Sequence, residues 1–178
     1  MIQINPTEIP PLRQNDRVRG NPQRAIVLMK YGDYQCSQSG QAHIIIQKLQ
    51  QKLGDRFCFV FRHFPQTEIH PQAFLAAETA EAAGKQGKFW EMHSMLFDNQ
   101  HALEDSNLIE YAVRLELDIP LVLKELSEHV HHDRIQEDID SAIEHGVKQT
   151  PTFFIGIRQE GTQNLEVLLV QILKTISA

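Results

Sequence analysis

The stretch that decides the fold is AIVLMKYGDYQC, from Ala25 to Cys36. Its first seven residues form a short apolar run, which predicts a buried strand, and Gly32-Asp33 then predicts a turn. Behind Cys36 the apolar residues recur every three or four positions, which predicts an amphipathic helix. These residues are Ala42, Ile45, Ile46, Leu49 and Leu53. The sequence therefore places Cys36 where a turn after a buried strand leads into a helix.

The elements on the C-terminal side of this helix follow from changes in the hydrophobic period. A second strand is predicted at 57–62, where FCFVFR is rich in aromatic residues and Pro65 ends the run. From about Pro71 to His145 the period is that of helices, and Pro120 suits the first turn of one of them. After Thr150 we predict a strand at 152–155, a turn into an edge strand at 156–161 and a closing helix at 165–176.

The order of these elements predicts the fold class. Strand, helix and strand imply a parallel pair with a right-handed crossover. The whole order is βαβ, a helical block, then ββα, and 178 residues suit one domain. We therefore expect an α/β domain over 20–178 with a helical insertion at about 71–145, preceded by an extended lead-in at 1–19.

Composition narrows the classes of partner and the compartment. A net charge of −6 gives the chain no attraction to nucleic-acid phosphates or anionic lipid, so we expect neither partner. No apolar run approaches the ~20 residues that a membrane-spanning helix requires, and residues 1–20 lack the pattern of a secretory signal. Two cysteines, Cys36 and Cys58, do not make a disulfide framework. The expected location is the reducing cytoplasm.

Cys36 is the residue whose position indicates chemistry. The unpaired N–H groups and the positive dipole end of a helix N-terminus favour an anion, and the thiolate is the reactive form of cysteine. The alternative is a buried cysteine that acts as a small hydrophobic residue. That alternative suits Cys58, which lies between Phe57 and Phe59 in a strand, better than it suits Cys36 with its polar neighbours.

The histidines near the end of the helical block do not predict a metal site. His129, His131 and His132 lie close together, but no cysteine or spaced carboxylate completes a ligand set. We expect them to be solvated surface residues, and we expect no metal.

Four stretches together resemble the DsbA-like thioredoxin proteins, and the resemblance runs from about Asp16 to the C-terminus. They are GNP at 20–22 with VLMKYGDYQC at 27–36, FRHFP at 61–65, GKQGKFWEMH at 84–93, and GVKQTPTFF at 146–154. The resemblance implies a thioredoxin-like fold with a helical insertion and thiol–disulfide exchange on protein or glutathione disulfides. It implies no bound cofactor, with glutathione as a candidate co-substrate. It also implies a cis Thr150-Pro151 bond, beside which an extended substrate segment pairs opposite Cys36.

One departure from the family pattern leaves the function open. The family has Cys-X-X-Cys, whereas this chain has Cys36-Ser37-Gln38-Ser39. Ser39 cannot clear a mixed disulfide, although its hydroxyl can donate a hydrogen bond to a thiolate. The chain is then either a monothiol exchange protein that needs an external thiol, or a catalytically silent module that binds proteins beside Pro151. The sequence also leaves open whether Ser39 is natural or was introduced in place of a cysteine.

Two further residues are candidate modulators of the thiolate. Lys30 stands where many relatives have a buried Glu; it either stabilises the thiolate as a cation or extends its stem to solvent. His43 lies four residues beyond Ser39 on the predicted helix, where it faces the site or the solvent. The candidate site is therefore Cys36 and Ser39 as catalytic residues, Thr150 and Pro151 for substrate, and Lys30 and His43 as modulators.

Overall fold

A five-stranded sheet runs through the part of the chain that the computed structural model describes, residues 3–5, 9–23 and 26–157. Its strands are β1 (Gln3–Asn5), β2 (Arg17–Arg19), β3 (Ile26–Gly32), β4 (Phe57–His63) and β5 (Thr152–Ile157). They lie in the order β1-β5-β3-β4-β2. Strands β3 and β4 are parallel, as their linkage through a helix requires, and β5 is antiparallel to β3. The predicted βαβ unit is confirmed.

Six α-helices accompany the sheet within the described residues. They are α1 (Ser37–Leu53), α2 (Ala73–Lys85), α3 (Phe89–Asp98), α4 (Asp105–Arg114), α5 (Ile119–Ser127) and α6 (His132–Glu144). The last five lie between β4 and β5 and form the helical insertion. Helix α5 begins as its sequence dictates, because the Asp118 carboxylate accepts the Leu121 N–H at 3.1 Å and Pro120 occupies the first turn. Within the described ranges, none of the helices is both long and apolar enough to cross a bilayer.

The sheet separates two apolar layers, because successive side chains of a strand point to opposite faces. In β3, Ile26 and Leu28 pack in the layer that holds α1 and most of the helical insertion. Val27 and Met29 pack in a smaller layer on the other face, which includes Ala142 of α6. Each fully buried aliphatic side chain of this kind stabilises the fold by about 1.5–3 kcal/mol.

The chain differs from the prediction at both ends. Residues 3–5 and 17–19, expected in an extended lead-in, are strands that pair with β5 and β4. This pairing satisfies backbone groups at the two edges of the sheet that would otherwise be open. Strand β5 continues to Ile157, beyond the predicted end at 155. The rest of the predicted turn and the closing helix at 165–176 lie outside the described residues.

Candidate active site around Cys36

The thiol of Cys36 lies where two distant segments of the chain meet. Cys36 is the N-cap of α1 and is 7% exposed. Its Sγ–H donates to the carbonyl oxygen of Thr150 at 3.2 Å, across 114 positions of sequence, and the Thr150–Pro151 peptide bond is cis. Of the predicted site residues, the structure thus brings Cys36, Thr150 and Pro151 together.

Asp33 organises the turn that carries Cys36. Its Oδ1 accepts the N–H of Gln35 at 2.7 Å and the N–H of Cys36 at 3.2 Å. Its Oδ2 accepts the N–H of Gln66 at 2.8 Å and lies 2.8 Å from Nδ1 of His70. From the sequence, Asp33 was predicted only as a turn residue. The signal for its larger role was present, because an Asp side chain commonly accepts N–H groups two or three residues further on.

Glutamine side chains connect this turn to its neighbours. The Thr150 hydroxyl donates to Oε1 of Gln66 at 3.1 Å, which ties the cis-proline loop to the segment after β4. Gln100, after α3, donates from Nε2 to the carbonyl oxygens of Tyr34 at 2.7 Å and Cys36 at 2.8 Å. Neither glutamine was predicted from the sequence. No local signal could have found these side-chain contacts, since they join residues at least 64 positions apart.

Lys30 is buried beneath the site, so of the two alternatives left open for it the solvent-reaching stem is wrong. Successive side chains of β3 point to opposite faces of the sheet, so Lys30 lies on the same face as Ile26 and Leu28, toward α1. On that face it is inaccessible to solvent. Its Nζ donates to the carbonyl oxygen of Ser39 at 2.8 Å and lies 4.2 Å from the centroid of the Phe97 ring. Burial lowers the pKa of Lys30 to about 7, against the opposing attraction of Cys36 and Asp33.

The hydroxyl of Ser39 faces the turn. Ser39 is fully buried in the first turn of α1, and its Oγ accepts the N–H of Asp33 at 3.5 Å, a long hydrogen bond. Its carbonyl oxygen holds the Lys30 ammonium. The residue thus links the turn at Asp33 to the buried amine.

The side chain of His43 packs in a layer of aromatic rings. It faces neither the solvent nor the thiol of Cys36. Its Nε2 is 2.9 Å from Nε2 of Gln47, and its ring stacks on Phe97 with centroids 5.0 Å apart. Burial first, and then the charges of Lys30 and Arg19, lower the pKa of His43 to about 3. His43 therefore carries no charge at neutral pH.

A second buried histidine, His93 of α3, completes this aromatic layer. Its Nδ1 lies 3.0 Å from the hydroxyl of Tyr34, the residue after Asp33. Burial is the main cause that lowers the pKa of His93 and raises the pKa of Tyr34. Both groups are therefore uncharged at neutral pH.

Cys58 lies in the layer on the opposite face of the sheet from α1. It is fully buried in β4 and packs in the smaller apolar cluster with Val27 and Val60. It is also five residues before His63, the last residue of β4, which is about 16 Å of strand. The sheet itself thus separates Cys58 from the turn that carries Cys36.

The three clustered histidines do not share one environment. His131 is buried, and its Nε2 lies 2.8 Å from a carboxylate oxygen of Glu125, so the expectation that it is a surface residue is wrong. His129 is more exposed and lies 3.0 Å from a carboxylate oxygen of Glu78. In residues 3–5, 9–23 and 26–157, no group of three or more His, Cys, Asp or Glu could hold a metal ion.

Comparisons of sequence connect the chain to a family and to longer proteins. A family model described as thioredoxin matches residues 13–173. A curated protein of Salinispora arenicola named "Na(+)/H(+) antiporter NhaA 1" is 42% identical over 154 residues, which are 86% of this chain and 24% of that protein. One of Salinispora tropica named "Na(+)/H(+) antiporter NhaA 3" is 37% identical over 164 residues, 92% of this chain and 25% of that protein. The chain spans about a quarter of the length of these relatives.

Solved structures share the fold at low sequence identity. The α-DsbA1 of Wolbachia pipientis superposes with a TM-score of 0.73 at 19% identity, covering 93% of this chain and 94% of that one. A thioredoxin-like oxidoreductase from Silicibacter pomeroyi gives 0.74 at 20% identity, with 91% and 94% covered. Oxidised BdbD from Bacillus subtilis gives 0.70 at 19% identity, with 92% and 94% covered. These matches confirm the predicted thioredoxin-like α/β fold with its helical insertion.

Proposed function

The chain belongs to the thioredoxin family, and from that premise we propose that it is a DsbA-like thiol–disulfide exchange protein that acts through one thiol, Cys36. One observation supports this most: Sγ of Cys36, at the N-terminus of α1, lies against the Thr150 carbonyl beside a cis Pro151. The helix N-terminus favours the thiolate. We propose that an extended substrate segment pairs with the backbone next to Pro151.

The proposed chemistry is two successive exchanges. The Cys36 thiolate attacks one sulfur of a substrate disulfide; a new S–S bond forms, and the other substrate sulfur leaves as a thiolate and takes up a proton. The thiolate of an external thiol such as glutathione then attacks the substrate sulfur of the mixed disulfide, and Cys36 leaves as a thiolate. The external thiol is now joined to that substrate sulfur by a new S–S bond, and a further molecule of the same thiol reduces this bond. This second step is intermolecular, because Ser39 is not a redox group and Cys58 lies across the sheet. A reducing compartment such as the cytoplasm provides the external thiol.

The remaining predicted residues support the thiol in different ways. Lys30, when protonated, is the cation that favours the thiolate from below, and the Ser39 carbonyl holds its ammonium in place. His43 is uncharged at neutral pH, so it acts through packing. Thr150 and Pro151 form the side of the groove on which substrate backbone would pair.

A second candidate function is a silent module that binds proteins in the same groove. Two features of Cys36 favour it: the residue is only 7% exposed, and its thiol donates to the Thr150 carbonyl, which keeps it engaged within the protein. Antiport belongs to the longer curated relatives and is not part of the activity proposed for this chain.

The deciding experiment is capture of glutathione. The protein is incubated with oxidised glutathione at neutral pH, and peptide mass spectrometry locates the mixed disulfide. We expect the adduct on Cys36 and its release by reduced glutathione. The matched variant Cys58→Ser should behave like the parent chain, whereas Cys36→Ser should give no adduct. A native protein that forms no adduct on Cys36 would favour the silent module.

A further inference from the structure

We propose that Asp33 is the positioning residue of the thiol site and that its charge holds Cys36 back in the less reactive thiol form. This inference rests on the proposed function, because a positioning residue matters only where Cys36 reacts.

The positioning part follows from four contacts. The Asp33 carboxylate is fully buried, and it accepts the N–H groups of Gln35 and Cys36 in its own turn. It also accepts the N–H of Gln66 and pairs with His70, both in the segment after β4. Through Gln66, which bonds the Thr150 hydroxyl, the same carboxylate is linked to the cis-proline loop. The Asp33 side chain thus fixes the position of the Cys36 thiol relative to the Thr150 carbonyl.

The restraining part follows from the sign of the charge. A helix N-terminus stabilises a thiolate through N–H groups that have no partner. In this chain the N–H of Cys36, at the start of α1, already faces a carboxylate oxygen at 3.2 Å. A second negative charge on the adjacent Sγ is therefore opposed. The hydrogen bond from Sγ to the Thr150 carbonyl also favours the thiol over the thiolate, because only the thiol has a proton to donate.

The other groups that face the thiol do not cancel this effect. Lys30 on β3 is the buried cation, but burial lowers its pKa to about 7, so it is only partly charged at neutral pH. His43 on α1 and His93 on α3 are uncharged there. His70 reaches Asp33 from the segment after β4 and offsets its charge only when protonated.

The test is the pH profile of Cys36 alkylation in the full chain, read by mass spectrometry after brief exposure to iodoacetamide. Asp33→Asn removes the charge and keeps one oxygen for the turn. We expect its midpoint to move to lower pH by about one unit. A more acidic thiol is also a weaker nucleophile, so the rate should rise about threefold below the midpoints and fall about threefold on the high-pH plateau. The two profiles should therefore cross.

Three comparison variants separate charge from geometry. Asp33→Glu disturbs the hydrogen bonds but keeps the charge, so its midpoint should stay near that of the parent. Asp55→Asn removes an exposed charge from the other end of α1 and should change nothing. The Asp33→Asn shift should persist in a Lys30→Met background, since it acts on the thiol directly.

Three outcomes would overturn the inference: an unmoved or raised midpoint in Asp33→Asn, an equal shift in Asp33→Glu, or a shift that disappears with Lys30→Met. Alkylation requires no turnover, so these results are independent of the glutathione experiment. A crossing profile with no glutathione adduct would support the role of Asp33 and count against exchange.

Discussion

The two cysteines occupy contrasting positions on one sheet. Cys36 caps α1 just beyond the carboxyl end of β3, and its thiol donates to a carbonyl brought from 114 positions away. Cys58 lies inside β4, inaccessible to solvent, among apolar neighbours on the other face. Around Cys36 lie a buried carboxylate and a buried amine, whereas apolar side chains form the cluster around Cys58.

The two sulfurs therefore differ mainly in the backbone and the charged groups around them. A helix N-terminus and a loop from another part of the chain meet where parallel strands end, and this is where side chains can be both held and reached. The interior of the same sheet holds its side chains but keeps them from solvent. Each of the following experiments tests one part of this contrast.

Selective labelling should give the largest effect. After brief exposure to a thiol reagent at neutral pH, Cys36 should be modified at least about a thousandfold faster than Cys58, because the core strand must open before Cys58 can react. Mass spectrometry of digested protein measures the ratio. In denaturant, where both residues are exposed, the rates should converge. Equal labelling of both cysteines in the native protein would mean that Cys36 is not the selectively reactive thiol.

The buried amine near Cys36 should make stability depend on pH. In the native state the pKa of Lys30 is about 7 rather than 10.5, so the unfolded chain binds more protons between these values and stability rises with pH there. Compared with Lys30→Met, the parent chain should gain about 2–3 kcal/mol from pH 7 to pH 9. Denaturant unfolding at several pH values measures this gain.

The matched control is Lys52→Met, which removes an exposed lysine near the end of α1. Its free energy of unfolding should run parallel to that of the parent across the same range. If Lys30→Met also ran parallel, the amine would titrate in the native state as it does in water, and the buried cation would have no part in the contrast.

Restoring a second cysteine should test the monothiol cycle. Ser39→Cys places a thiol three residues after Cys36 on the same helix, so resolution becomes intramolecular, and insulin reduction should rise about tenfold or more. Ser37→Cys adds a thiol at a neighbouring position without the family spacing and should leave the rate near that of the parent. An inactive Ser39→Cys protein would favour the silent module, and an already fast parent would mean that Cys36 is resolved by another route.

Truncating each cysteine should change the free energy of unfolding only slightly, and the two variants should distinguish a role in stability from a role in reactivity. Cys58→Ala leaves a small cavity in a packed layer and should cost about 1–2 kcal/mol of unfolding free energy, with Cys36 alkylation unchanged. Cys36→Ala should cost less, about 0.5–1 kcal/mol, while all glutathione capture is lost. Denaturant unfolding and adduct mass measure the two quantities. The contrast between the cysteines would fail if Cys58→Ala slowed Cys36 alkylation.

The sequence alone determined what repeats locally. The apolar run from Ala25, the three- and four-residue steps behind Cys36 and the helical period from 71 to 145 were enough for the βαβ unit and the insertion, because period and capping depend on near neighbours. They also led to the prediction that Cys36, and not Cys58, is the reactive thiol. The edge strands β1 and β2 were not predicted, because strands of three residues carry almost no periodic signal.

Only the tertiary structure decided how the site is built. The contact between Cys36 and Thr150, the bonds of Gln66 and Gln100, and the burial of Lys30 all depend on which distant segments come together. The sequence allowed two interpretations of Lys30, a buried cation or a stem that reaches solvent. The residue is buried because α1 and Phe97 pack over β3. Burial and electrostatic environment arise from the folded assembly as a whole, and for that reason no local pattern could have specified them.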